Sequence, residues 1–527
     1  MENIIVSSNE FTYPDRKVYD SMSDEISLHT PRGSYATIQL LFFDVPDQSI
    51  ISVRLTDDFE DRKTDCYELV PVFVEDSSNI DHTNPVPYCP NRVAPFYIYD
   101  CLKPLGEKVT PKDGTIGLYL SFPIDKKDKP GLLSGTVMIV VRGHLFEIPI
   151  QIRIHEAIVP EKGTLKMVNG YSSSKIPEYF HVEDGSPDHK RIDAEHLHLL
   201  RRMRQNMMYV GGVITTRDEE GNYQFDFSPL EHQVEYYQSF GFQYFLMSSV
   251  GGRKSWKEST ILVGPERLPA MSYEAFRYLS QYLPALRRFL KEKDWTDCFL
   301  LGVSDEPNDA NATEFRALCG LVRKFFPEIR LADALSYTAV HGALDVWIPL
   351  NAEYDKHQKE FESYRTGKDE LWHYVCCVPR KEGYINRFMD YPLLSTRYLF
   401  WGNYKYRMTG YLHWASNVYQ PGQDPFKQNN PSHRNADSVC ILPPGDTHVI
   451  YPGKDRPWMS MRLEAHRQSA EEYELFKILE KRNKQKADAL CEQCFKSFNK
   501  VEYNPVLFEQ TRIQLLEEAS KGTVLNK

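Results

Sequence analysis

Phe299-Leu-Leu-Gly-Val-Ser-Asp305-Glu306-Pro307-Asn308-Asp309 is a short apolar run that ends in two adjacent carboxylates. A run of this length, closed by Pro, Asn and Asp, reads as a buried strand passing into a loop. Phe299, Leu301, Val303 and Asp305 share one phase of the strand alternation, so Asp305 points along the strand axis and Glu306 projects from the first loop position. A second reading stays open: Asp305 caps the next helix, and Glu306 and Pro307 occupy its first turn, where acids and Pro are favoured.

The same texture repeats on both sides of this run. Leu165-Lys-Met-Val, Met208-Tyr-Val-Gly-Gly-Val-Ile, Tyr244-Phe-Leu-Met, Arg330-Leu-Ala, Asp345-Val-Trp-Ile-Pro-Leu, Leu371-Trp-His-Tyr-Val and Gly410-Tyr-Leu-His-Trp are all strand-sized. Between them, the stretches from Ala194, from Tyr273 to Leu290 and from Ala312 to Phe326 carry apolar residues at helical spacing. Eight strands with helices between most of them fit a (β/α)8 TIM-like barrel of roughly 250 to 300 residues, with a doubly wound open sheet as the rival. Counted from Leu165, the Phe299 run is the fourth strand, and a barrel draws its catalytic groups from the C-terminal ends of its strands.

Outside this region the patterning changes. Up to residue 158, short β-branched and aromatic runs separated by Pro, Gly and Asp predict an N-terminal β-sandwich. Val159-Pro-Glu-Lys-Gly-Thr reads as a linker, and the Glu/Lys/Leu/Ala-rich stretch that follows Pro457-Trp-Met-Ser predicts a C-terminal helical segment with its lysines in solvent. The expected division is therefore 1–158 for the sandwich, 159–465 for the barrel and 466–527 for the helical segment.

Composition narrows the functional classes. The chain has 527 residues, enough for two or three domains, with 41% hydrophobic and 26% charged residues, as in a folded globular protein. A net charge of −10 gives no incentive to bind nucleic acid. No run approaches the ~18 to 20 apolar residues of a spanning helix. The start, Met1-Glu-Asn-Ile-Ile, lacks a secretory pattern, so the expectation is cytoplasmic if the sequence is complete as written, and periplasmic or extracellular if a leader was trimmed. Nothing in the composition bears on oligomeric state.

Ten cysteines are too sparse for a disulfide scaffold and read as free thiols. Cys491 and Cys494 have knuckle spacing but sit in a helical pattern with no second pair nearby, Cys376 and Cys377 read as space-filling because no positioned base is evident, and His196 and His198 read as surface or interface residues. Walker, dinucleotide, zincin and esterase motifs are absent. No metal or organic cofactor is implied. Two further strand ends, Leu371 to Pro379 and Gly410-Tyr-Leu-His-Trp414-Ala-Ser-Asn417, combine aromatics with polar groups. Aromatic platforms beside carboxylates and amides suit a carbohydrate, with its apolar C–H faces and many hydroxyls.

Ser304-Asp305-Glu306-Pro307, Trp372-His-Tyr374-Val-Cys-Cys-Val-Pro379, Asn386-Arg-Phe-Met-Asp390, Gly410 to Asn417 with Asp424-Pro425, and Tyr451-Pro-Gly453 with Ser460 to Arg467 together resemble glycoside hydrolase family 123, also known as a domain of unknown function. The agreement in order and spacing covers roughly residues 160 to 490. The resemblance implies a retaining β-N-acetylgalactosaminidase working through the substrate's own 2-acetamido group, an exception to the two-carboxylate scheme. It implies Glu306 as general acid and then base, with a pKa that the Asp305 anion helps to raise, and Asp305 as acceptor of the acetamido N–H. By analogy with other acetamido-assisted hydrolases, Tyr374 hydrogen-bonds the acetamido oxygen and Trp401 and Trp414 wall the sugar, with Asn351 and Asn417 as hydroxyl contacts. The implied partner is an oligosaccharide or glycoconjugate glycan. The alternatives are a glycosidase of other specificity with a separate nucleophile, Asp333, Asp345 or Asp390, and a non-catalytic glycan-binding protein.

Overall fold

The computed structural model describes residues 1–78, 92–256, 258–336, 339–365, 367–434 and 439–521. All eight strand-sized runs singled out in the sequence form parallel strands. We label them β1 (Lys166–Asn169), β2 (Met207–Val210), β3 (Tyr244–Met247), β4 (Phe299–Leu301), β5 (Arg330–Leu335), β6 (Val346–Pro349), β7 (Glu370–Tyr374) and β8 (Gly410–His413). Hydrogen-bonded ladders join them in the order β1-β8-β7-β6-β5-β4-β3-β2, which leaves one seam, between β1 and β2.

Two side-chain amides bridge that seam. Asn206 accepts the Met167 N–H (3.0 Å) and donates to the Leu165 carbonyl (3.0 Å), while Gln205 accepts the Asn169 N–H (3.1 Å) and donates to the Asn169 carbonyl (3.2 Å). A primary amide offers the same donor and acceptor pair as a peptide unit, so these buried groups satisfy the backbone that a missing ladder would orphan. The result is a nearly closed barrel. Helices Pro187–Arg202, Tyr273–Glu292 and Ala312–Phe325 lie where the helical spacing placed them. His196, expected at a surface, is instead buried against Tyr171 and Phe180 with its Nδ1 on the Ile192 carbonyl, whereas His198 on the same helix is exposed.

The N-terminal strand-rich region consists of two sheets. Among the described residues, one has seven strands, five of them N-terminal, and the other has five, and Leu40, Leu118 and Leu120 of the first meet Val137, Ile139 and Ile150 of the second in one apolar cluster. The opposite face of the seven-stranded sheet, including Leu41, Ile98 and Leu102, belongs to the same cluster as the barrel core. This sheet is therefore apolar on both faces, which explains the near-continuous burial of Ser34–Phe43.

Two segments depart from the expected division. Ile450–Pro452 and Pro457–Ser460 leave the barrel and extend the seven-stranded sheet, with Met459 opposite Leu102 and Ser460 opposite Cys101. The helix that follows, Met461–Cys494, starts directly from this strand, so a boundary at 465 falls inside it. Its first half carries many charges yet is buried, because these charges are paired, some with other layers and some along the helix itself. Arg462 pairs with Asp100 at 2.9 Å, and Arg202 and Arg467 both bind Glu464. Burial drives the Glu464 pKa upward, but the two guanidinium groups overcome that and hold its carboxyl well below the usual range. Breaking one side of such a buried pair costs about 3–5 kcal/mol. The lysines of the second half, such as Lys481 and Lys484, are exposed as expected. Cys89 lies outside the described residues; the other nine cysteines are free thiols.

Candidate active site

A cavity of about 970 Å³ opens at the C-terminal ends of the barrel strands. Tyr209 of β2, Asp305 and Glu306 after β4, Asp333 of β5, Tyr374 of β7 and Trp414 after β8 all line it. The strand phase that would carry Asp305 stops at Leu301, and the chain bends at residues 304–306. The next helix starts at Ala312 with Asn311 as its cap, so Asp305 does not cap it.

The turn places both acids in a left-handed conformation, Asp305 at φ +62° and Glu306 at φ +39°. Non-glycine residues held there cost on the order of 1–3 kcal/mol each and persist only where their surroundings over-determine them. Here the backbone is gripped from two sides. The Asp333 carboxyl oxygens accept the N–H groups of Val303 (3.1 Å), Ser304 (3.0 Å) and Asp305 (3.2 Å). Arg253, in the segment after β3, donates to the carbonyls of Asp305 (2.6 Å) and Glu306 (2.9 Å) and also to that of Trp256 (2.7 Å). With its N–H groups held by Asp333 and its carbonyls by Arg253, the turn can only present its two side chains to the cavity. Arg253→Ala is expected to lower kcat/KM about 10²-fold, since small displacements of reacting groups cost that much, with an unchanged far-UV circular dichroism spectrum.

Asp305 is exposed to solvent on the side of the cavity, with protein close around its other sides. Burial, followed by the Glu306 charge, pushes its pKa from 3.8 to about 6, against the pull of Arg253. Burial and the Asp305 charge push Asp333 to about 8, opposed by its three amide donors. The Tyr374 hydroxyl donates to Glu306 Oε1 at 2.8 Å and lies 3.4 Å from Ser336 Oγ. Burial and the Glu306 charge keep this phenol well above its usual pKa, so it stays a donor.

Across the cavity, Trp414 is half-buried, its indole N–H bound to Asp446 Oδ2 at 3.1 Å. Asp446 is fully buried, sits 3.3 Å from His413 Nε2 and is pushed up to about 6, chiefly by burial. Trp256 lines the rim and is 45% exposed. Gly170, just past β1, sets the position of Trp414, because a Cβ there would stand 1.9 Å from the Trp414 carbonyl oxygen. Gly170→Ala is expected to destabilise the fold by about 1–3 kcal/mol, the usual penalty for forced overpacking, and to lower the melting temperature.

Of the residues singled out in the sequence, Asp305, Glu306, Tyr374 and Trp414 converge on this cavity, and three others do not. Trp401 is fully buried on helix Leu399–Lys405 with its indole N–H on Glu472 (2.8 Å), facing the C-terminal helix rather than the cavity. Asn351 is buried with its amide on the Ile385 carbonyl (3.0 Å). Asn417 pairs with both the N–H (2.9 Å) and the carbonyl (3.0 Å) of Ser172, as a brace between loops. Asp345 accepts the Leu331 N–H at the start of β5, and Asp390 accepts from Ser78, so of the three alternative nucleophiles Asp333 lines the cavity and these two do not. Arg253 and Asp446 went unnoticed in the sequence, Trp256 was not assigned to the site, and Asp333 was weighed only as a nucleophile. Their neighbours in the chain carry no motif that signals the role. Among the described residues, no group of three or more His, Cys, Asp or Glu side chains is placed to hold a metal ion, and no helix is long and apolar enough to cross a membrane.

A barrel whose fourth strand delivers carboxylates to a wide cavity walled by aromatics has the layout of a glycoside hydrolase. Residues 172–479 match the family profile described as "Glycoside hydrolase 123, catalytic domain". The chain belongs to glycoside hydrolase family 123. A family 123 glycoside hydrolase from Clostridium perfringens, studied for glycolipid glycan hydrolysis, has a similar fold, with TM-score 0.73, 12% identity, and coverage of 99% of this chain and 97% of that one. More distant matches include an endo-β-1,4-mannanase from Thermotoga petrophila, with TM-score 0.36, 11% identity and coverage of 59% and 77%. No curated protein sequence matches the chain.

Proposed function

We propose that this hydrolase removes terminal β-linked N-acetylhexosamine, N-acetylgalactosamine foremost, from a glycoconjugate glycan with retention of configuration, using the substrate's 2-acetamido group as nucleophile. The observation that carries the reading is the pair of consecutive acids, Asp305 and Glu306, presented to one cavity by a turn gripped on both sides. Glu306 protonates the departing glycosidic oxygen while the acetamido carbonyl closes on the anomeric carbon from the opposite face. Asp305 accepts the acetamido N–H, which orients the carbonyl and balances the charge that develops on the oxazoline. Glu306, now a carboxylate, takes a proton from water as it attacks the same carbon, and the two inversions give net retention.

Tyr374, already on Glu306, fixes the acid's rotamer and stands next to the place where the acetamido oxygen arrives. Trp414 offers a face to the sugar, its indole held in place by the buried Asp446 behind it. The Clostridium relative's link to glycolipid glycans makes a glycolipid headgroup a reasonable first natural substrate to assay.

Aryl β-N-acetylgalactosaminide, aryl β-N-acetylglucosaminide and plain aryl β-galactoside, each with and without an N-acetylhexosamine thiazoline, test the proposal. Turnover of an acetamido substrate, blocked by the thiazoline and giving first the β-anomer by NMR, is the expected result. Hydrolysis of the plain galactoside alone would point to a separate nucleophile and overturn the reading, and binding of an N-acetylhexosamine without turnover would point to a glycan-binding protein.

A further inference from the structure

Among the described residues, two tyrosines line the catalytic cavity, and only one of them has a task in the chemistry above. Tyr374 gives its hydroxyl to Glu306. Tyr209, in the third position of β2, is 36% exposed, and no other residue in the eight barrel strands is exposed at all. Aromatics of a barrel strand normally pack into the core and pair their hydroxyls there. Tyr209 does neither: its side chain lines the cavity, and among the described residues its hydroxyl has no hydrogen-bond partner. Desolvation by the surrounding protein, then the charges of Asp305 and Asp333, hold this phenol above its usual pKa, so it meets a ligand as a donor.

The strand order decides on which side this donor stands. From β4, whose end delivers the two acids, the ladder runs through β3 to β2 in one direction and through β5 and β6 to β7 in the other. Tyr209 and Tyr374 therefore approach the acid pair from opposite sides, and Tyr374 is already engaged on the Glu306 side. The Asp305 side is left to Tyr209.

We infer that Tyr209 is a specificity-determining residue that donates a hydrogen bond to the sugar hydroxyl on C3, next to the acetamido group, and so selects glycosides in which that hydroxyl is free. The inference rests on the proposed function, which places the acetamido N–H on Asp305. A secondary amide is planar and trans, so its N–H and its carbonyl point in opposite directions. When the carbonyl swings onto C1 to form the oxazoline, the N–H swings toward C3. The acceptor of that N–H and the group that faces the C3 hydroxyl must then be neighbours, and the free donor on the Asp305 side of the cavity is Tyr209. N-acetylgalactosamine and N-acetylglucosamine carry the same C3 hydroxyl, so Tyr209 does not read the difference between them. It reads whether C3 has been extended.

The test measures kcat/KM for the aryl β-N-acetylhexosaminide that the wild type prefers and for its 3-deoxy analogue, in wild type and in Tyr209→Phe. Phe keeps the ring, and because the hydroxyl has no protein partner to lose, the melting temperature should stay the same. Removing either the substrate hydroxyl or the phenol hydroxyl is expected to cost about tenfold, the scale of one hydrogen bond, and removing both should cost little more than removing one. Tyr374→Phe supplies the contrast: its loss should be equal on the two substrates, because its partner is Glu306 and not the C3 hydroxyl. Losses that multiply in Tyr209→Phe, or normal rates in that variant, would overturn the inference and leave the acetamido mechanism standing. A wild type that turns over no acetamido glycoside would overturn both, and the thiazoline experiment detects that failure without any Tyr209 variant.

Discussion

Glu306→Gln is expected to lower kcat/KM by about 10²–10⁴-fold on glycosides with alkyl or sugar leaving groups, the range that a positioned general acid supplies. A loss of 10³-fold corresponds to about 4 kcal/mol of transition-state stabilisation. Gln keeps the size of the side chain and can still meet the Tyr374 hydroxyl, so the turn and its grip by Arg253 and Asp333 stay in place. What disappears is the proton. The loss should therefore shrink on nitrophenyl glycosides, whose leaving group needs little protonation, and this graded dependence separates a missing acid from a damaged fold. Equal losses on both substrate types, or normal rates, would contradict the role assigned to Glu306.

Asp305→Asn is expected to cost about 10²–10³-fold in kcat on N-acetylhexosaminides, the scale of removing one preorganised group that stabilises transition-state charge. Asn is the cleanest replacement here because, among non-glycine residues, Asn and Asp best tolerate left-handed backbone, and position 305 sits at φ +62°. The wild-type pH profile should carry the same signature. With its pKa raised to about 6, Asp305 takes up a proton as the pH falls through that value and loses the negative charge to which the proposed function gives the task of orienting the acetamide. The acid limb of kcat/KM is thus expected near pH 6 rather than near an ordinary carboxylate value, and it should be absent from the Asp305→Asn profile. An acid limb that persists unchanged in the mutant would assign it to another group.

These two predictions rest on residues that could be named before any coordinates. Asp305 and Glu306 are adjacent in the chain and follow an apolar strand, so a local pattern was enough to find them. Their support was not local. Arg253 is 52 residues away from Asp305 and Asp333 is 28 residues away, and neither sits in a recognisable motif. The two tryptophans make the same point in reverse. Trp401 and Trp414 looked equivalent as aromatics near the eighth strand, yet the Leu399–Lys405 helix turns Trp401 toward Glu472 while the β8 strand end turns Trp414 toward the cavity.

Strand and helix periodicity is written into neighbouring residues, and on that basis the sequence alone determined the eight barrel strands, their order along the chain, the flanking helices and the two acids at the end of the fourth strand. Tertiary structure alone decided that residues 450–460 join the N-terminal sheet, that buried amides of Gln205 and Asn206 bridge the barrel seam, and that the acids are locked in a strained turn. Those features depend on which distant groups meet, and a pairing between segments separated by tens or hundreds of residues leaves no periodic trace in either of them.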